Sequence, residues 1–179
     1  MKRHTRRRSL QFFLVLLLAP AVHLAAQTCP NPIDGASFFV TQQYLDFLYR
    51  QPTTSELNSG VNQINACGGY PPCVYAQRII ISRSFWDRSE FRTQSRTFGL
   101  PLFDPPDLYD NWDFIALSYY IYLQRAPDDP PDSDYSGHAF WLNDLETCID
   151  DPPVDVDHCY SHIVEAFLVS SEYRARFGC

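Results

Sequence analysis

The sequence predicts an all-α protein built as two tandem, degenerate helical repeats and stapled by disulfides, and three observations carry that expectation. Apolar and aromatic residues recur at spacings of three and four from Phe38 to Tyr49 and again from Phe114 to Leu123, as they do on an amphipathic helix with a wide buried face. The chain matches itself in three ordered places, which implies matching supersecondary units. Six cysteines lie beyond an N-terminal leader, an even number that reads as three disulfides in an oxidising compartment.

The leader comes first. Lys2, Arg3, Arg6, Arg7 and Arg8 precede an apolar stretch from Phe12 to Ala19, the pattern of a secretory signal. The stretch falls short of the roughly 20 apolar residues that span a bilayer, and Pro20 and His23 break it, so a retained anchor is the weaker reading. Residues 1–26 are expected to be cut after Ala26. The arginine pairs lack the apolar follow-on of a twin-arginine signal, and Thr28 before Cys29 is a poor approach for lipid modification. With the leader go five of the 14 Lys and Arg, leaving 9 against 21 acids, a net charge of −12 with no lysine. Such a charge repels nucleic acid and anionic membrane surfaces and suits cations and basic surfaces.

In the repeat, Tyr44 to Pro52 (YLDFLYRQP) aligns with Tyr119 to Pro127 (YYIYLQRAP), Asn62 to Cys67 with Asn143 to Cys148, and Phe85 to Arg92 with Phe167 to Arg174. The first repeat is placed at 27–98, a linker with Pro105 and Pro106 at 99–112, and the second repeat at 113–179. Each copy is expected to hold a first helix ended by Pro52 or Pro127, with Arg50 or Arg125 in its last turn facing the negative end of the dipole. A second helix follows over Glu56 to Ala66 or His138 to Thr147. The third spans Val74 to Ser84 or Tyr160 to Val169, and a short SEF or SEY turn closes the copy. Cys67 with Cys73 and Cys148 with Cys159 close short loops at matching places, which leaves Cys29 to join Cys179. The halves differ in charge: 27–103 holds six Arg against five acids, and 104–179 holds three Arg against sixteen.

These residues resemble the bacterial domain of unknown function 4214 family, found in tandem copies in exported and surface proteins. Leu123, Arg125, Pro127, Asp128, Gly137, Phe140, Trp141, Ser171, Glu172 and Tyr173 follow the family pattern in order. Copy one carries the helix exit and SEF but has LNSGVNQI where the pattern has Gly-x-x-Phe-Trp. The resemblance implies an all-helical fold and a surface context, and it brings no catalytic activity.

No nucleophile elbow, zinc-protease helix motif, phosphate-binding glycine loop or dinucleotide fingerprint occurs in the sequence. The chain is therefore expected not to be an enzyme. It reads as an exported interaction module for a protein or polysaccharide at the cell envelope; a calcium-stabilised glycan-binding module and a hydrolase with an unrecognised carboxylate or metal site are the alternatives. The candidate ion site is DSDYSGHAFWLN, where Asp132, Asp134 and Ser136 supply oxygens at positions 1, 3 and 5 of a calcium loop and Gly137 the turn at position 6. Asn143 stands where such a loop wants Glu, so a helix cap by Asp134 or Ser136 is the preferred reading. His158 and His162, four apart, with Asp157, form a second metal candidate, ranked below an ordinary solvated helix face. Tyr119, Tyr120 and Tyr122 cannot all face one core, so part of that surface is available to stack on sugar rings or a partner, although packing between repeats is the preferred reading. Arg78, Arg83, Arg88, Arg92 and Arg96 form the basic cluster, expected to pair with acids of the second copy.

Overall fold

The computed structural model describes residues 30–97, 111–151, 153 and 155–178. The expected leader at 1–26, Cys29, Cys179 and most of the expected linker lie outside the described residues, and so does the expected Cys29 to Cys179 pairing. All regular structure in the described residues is helical, as the apolar spacing predicts. A 3-10 turn at Pro32–Asp34 precedes α1 (Ala36–Leu48), α2 (Thr54–Asn65), α3 (Pro71–Trp86) and α4 (Ser89–Thr97). The second half holds α5 (Asn111–Ser118), a π-helical turn (Tyr119–Leu123), α6 (Ser136–Asp150), α7 (Val156–Val169) and α8 (Ser171–Ala175). Asn111 and Trp112, expected in the linker, open α5. No helix of the described residues is long and apolar enough to cross a membrane.

Helix α1 buries Phe39, Val40, Tyr44, Phe47 and Leu48, the residues its spacing selects. It stops before Pro52 is reached, because Tyr49 turns left-handed with φ 52° and its N–H bonds back to the Leu45 carbonyl. Gln124 is likewise left-handed after the π-helical turn, with φ 58°. Arg50 and Arg125 therefore lie beyond their helices and not in the last turn, which corrects the dipole-partner expectation. A capping box starts α2: the Thr53 hydroxyl accepts the Glu56 N–H, and the Glu56 carboxylate accepts the Thr53 N–H. Pro71 at the first position of α3 starts that helix three residues before Val74, and α7 starts at Val156, ahead of the expected Tyr160.

The expected local disulfides are present. Cys67–Cys73 closes the loop into α3, where Gly68 and Gly69 take positive φ, and Cys148–Cys159 ties α6 to α7. Disulfides of this kind belong with an oxidising, non-cytoplasmic compartment.

The core is aromatic. Helix α3 of the first half packs along α7 of the second. Phe47 meets the rings of Phe85, Trp86, Phe91 and Tyr122, and Trp86 lies 4.3 Å from Phe114. Buried Tyr122 keeps its hydroxyl satisfied, 2.7 Å from the Ser82 hydroxyl and accepting the Trp86 indole N–H at 3.3 Å. Helix α1 and the segment around α8 meet on this core. The Asp46 carboxylate receives both terminal nitrogens of Arg176, at 2.7 and 3.1 Å, and Gln43 donates to the Tyr173 hydroxyl at 3.1 Å.

Candidate functional site

Arg125 organises the loop between the π-helical turn and α6. Its guanidinium donates to both oxygens of Glu172, to Asp132 at 2.8 Å, and to the carbonyls of Ala126 and Asp129 at 3.1 and 3.0 Å. It also lies over the Tyr119 ring at 5.0 Å, and its side chain is 11% exposed. A planar fork with five donors suits this many-sided role, which an ammonium would not fill. The Asp129 carboxylate in turn accepts the Ala126 N–H, so the loop is fixed at several points. Gly137 allows α6 to approach: a Cβ there would come within 2.7 Å of the Tyr119 hydroxyl.

The first half carries a matching arrangement. Arg50 donates to both oxygens of Glu90, to both oxygens of Glu56 and to the Gln51 carbonyl, and it lies over the Tyr44 ring at 5.1 Å. Hydrogen bonds from Arg50 hold the Glu56 carboxyl down at about 2, against the cost of its burial, and Glu90 is lowered by the same partner.

The loop fixed by Arg125 leads to a face of exposed aromatic rings. Trp112 from α5, Tyr120 from the π-helical turn and Tyr135 before α6 are 40%, 39% and 48% exposed. Trp112 and Tyr135 lie 6.3 Å apart at 33°, close to side by side. Buried His138 supports them from below: its ring is 4.6 Å from Trp112, and its Nε2–H donates to the Trp112 carbonyl at 3.0 Å. Asp128 is the main influence raising the Tyr135 phenol, with burial next and Tyr120 and Asp129 contributing, so these carboxylates border the rings. The face thus offers flat apolar surface beside acceptor oxygens. Tyr119 and Tyr122 are in the core, as the packing reading expects, and Tyr120 is the tyrosine left at the surface.

The calcium candidates take other partners. Asp132 is bonded to Arg125, and the Asp134 carboxylate accepts the N–H of Ser136, the first residue of α6. That bond supplies one of the free donors of the helix start, in the manner of the preferred cap reading, although the capping position itself belongs to Tyr135. Asp157 of the histidine candidate pairs with Arg83 at 3.0 Å, and His162 lies 3.2 Å from Asp144. Among the described residues no group of three His, Cys, Asp or Glu side chains is placed to hold a metal ion. Of the basic cluster, Arg83 pairs with Asp157 of the second half; Arg78 reaches Asp34, Arg88 reaches Glu56 and Arg92 reaches Asp87. The side chain of Arg96 lies outside the described residues.

Sequence reasoning missed Trp112, Tyr135 and His138 as a group. Their shared signal is that each sits in or just before the first turn of a helix, where Trp112 and Tyr135 stay exposed and His138 is buried beneath them. The fold and face define an all-α, disulfide-bonded chain with an aromatic surface bordered by carboxylates. No family model, curated protein or solved structure matches the chain.

Proposed function

We propose that the chain is an exported, non-catalytic interaction module that binds polysaccharide at the cell envelope through the face of Trp112, Tyr120 and Tyr135. The observation that carries this reading is the grouping of three exposed rings beside Asp128 and Asp129 on a loop held by Arg125. Sugar rings present C–H faces that stack on aromatic rings and hydroxyls that donate to carboxylates, whereas a lone surface ring needs no such explanation. The acidic surroundings favour neutral or amino-sugar polymers over anionic ones. Export rests on the leader composition, and the two local disulfides support it. The resemblance to the domain of unknown function 4214 family, and an origin of the two halves by duplication, belong to the same proposal. The matching Arg50 to Glu90 and Arg125 to Glu172 pairs support both.

The test is a depletion assay with insoluble chitin and with neutral β-glucan, run with calcium and with a chelator. Retention of the exported chain is expected on at least one polymer, with no release of reducing ends. Trp112→Ala and Tyr135→Ala should each weaken it by about tenfold, the loss of one stacking anchor, with the helical circular dichroism unchanged. Retention that depends on calcium would favour the calcium-stabilised variant. Release of reducing ends would establish a hydrolase. Failure on both polymers, together with capture of an envelope protein through the same rings, would replace polysaccharide by a protein partner.

A further inference from the structure

A cleft lies on another part of the molecule, where the 3-10 turn, α1 and α8 meet α3 and α7. Its volume is about 440 Å³, within the range of small-molecule sites. Ile33, Phe39, Val74, Leu168 and Val169 give it an apolar lining, and Arg78, Arg174 and Asp34 are the charged residues that line it.

The charges there are unevenly matched. Arg174 takes both oxygens of Asp34, at 2.8 and 3.0 Å, and holds that carboxyl below its usual range. Arg78 is left with less. Its side chain is 16% exposed, its Nη1 stands 3.9 Å from the nearest Asp34 oxygen, and its Nη2 donates to the Asp34 backbone carbonyl. Its Nε is buried with no hydrogen-bond partner, and the guanidinium lies over the Phe39 ring at 5.1 Å. Burial pushes the Arg78 pKa down, the mark of a cation short of compensation. Two guanidiniums thus share one carboxylate at the edge of an apolar cleft, in a chain that is otherwise strongly acidic. A largely buried cation whose one carboxylate partner is shared with a second arginine is costly, and an anion placed beside it removes part of that cost.

We infer that this cleft binds a small amphipathic carboxylate, its apolar body against Phe39, Val74 and Leu168 and its carboxylate beside the Arg78 guanidinium. Neither part suffices alone. The lining supplies hydrophobic affinity, and the unbalanced arginine supplies the preference for an anionic head.

Titration calorimetry of the oxidised, exported chain tests this, with decanoate as the probe, below its micelle concentration, and decanol as the uncharged match. Saturable one-to-one binding of decanoate is expected, with decanol weaker by about tenfold, the factor a charge-assisted contact supplies. Arg78→Gln should bring decanoate down to the affinity of decanol and leave decanol unchanged. Val169→Trp, which fills the cleft from its exposed edge, should abolish both. Absence of saturable decanoate binding, equal affinity for the two probes, or an unaltered Arg78→Gln would overturn the inference. Should Arg78→Gln fail to fold, the comparison of probes and the Val169→Trp variant decide the matter without it. Trp112→Ala should leave decanoate binding intact, so this site and the aromatic face stand or fall separately.

Discussion

Arg125 holds Glu172 across 47 residues of chain, with both carboxylate oxygens engaged by one guanidinium. Arg50 holds Glu90 in the same way across 40. Each pair fastens the exit of one helix to the closing Ser-Glu-aromatic segment of its half.

Removal of either arginine should therefore cost more than the loss of a helix-dipole contact. Arg125→Ala is expected to lower stability by about 1.5 to 3 kcal/mol, the range for hydrogen bonds to charged groups, because two acids and two carbonyls lose their donor together. Arg125→Lys should recover little of this, since a point charge cannot serve partners on several sides. Urea denaturation followed by circular dichroism measures both. A loss of only a few tenths of a kcal/mol would return Arg125 to the role of a surface cation.

Acid should loosen the first half. Glu56 ionises at about 2 in the folded chain against an ordinary 4.5, so the unfolded chain takes up its proton first as pH falls. The contribution is fully present above 4.5 and is lost as pH drops toward about 2; Glu90 and Asp34, both lowered, act in the same direction. The urea midpoint is expected to fall over that window, and Glu56→Gln should flatten the fall. An unchanged slope in the variant would assign acid sensitivity to other groups.

Breaking Cys148–Cys159 by paired alanine substitution should destabilise the chain by about 2 to 3 kcal/mol from the entropy of the opened loop. Cys159 is also fully buried, so the loss should exceed that for Cys67–Cys73, which closes a shorter and more exposed loop. Thermal melts of the two double variants give the order directly. Non-reducing peptide maps report the Cys29 and Cys179 partners in the same preparation.

Calcium at millimolar concentration should raise the melting temperature no more than sodium chloride of equal ionic strength, because Asp132 is already bonded to Arg125. Asp132→Asn should lower stability with or without calcium, by weakening the hold on the 126–132 loop. A calcium increment that Asp132→Asn erases would show that the ion displaces the arginine.

The sequence made the helices legible and their partnerships much less so. Spacing of Phe39, Val40, Tyr44 and Phe47 placed α1, and the cysteine spacing placed both local disulfides. Arg50 was assigned to the dipole because Pro52 is the visible stop, whereas the real stop is a left-handed Tyr49, a conformation that no residue type there announces. Its carboxylate partner Glu90 lies far along the chain, beyond any periodicity window. Recurrence of Arg with Ser-Glu-aromatic in both halves was the available signal. Asp132, Asp134 and Ser136 fit a calcium spacing because such spacing counts oxygens and ignores Arg125, which stands outside the motif and takes one of them. Trp112 was given to the linker because Pro105 and Pro106 mark a boundary without showing where the next helix begins.

The grip of Arg174 and Arg176 on Asp34 and Asp46 has a consequence for biosynthesis. Arg176 donates to the carbonyls of Ile121 and Tyr122 in the π-helical turn while gripping Asp46, and Arg174 grips Asp34, so residues 174–176 tie down partners 130 and 140 positions earlier in the chain. A nascent chain that stops short of Tyr173 has an Asp46 without its arginine and a core without the Tyr173 ring. Such a chain gains less from closing, so closure of the core is expected to follow the arrival of this segment. For a protein proposed to be threaded through a membrane before it folds, that delay keeps the polypeptide open for transport and sets its compaction on the far side, where the thiols also meet their oxidant.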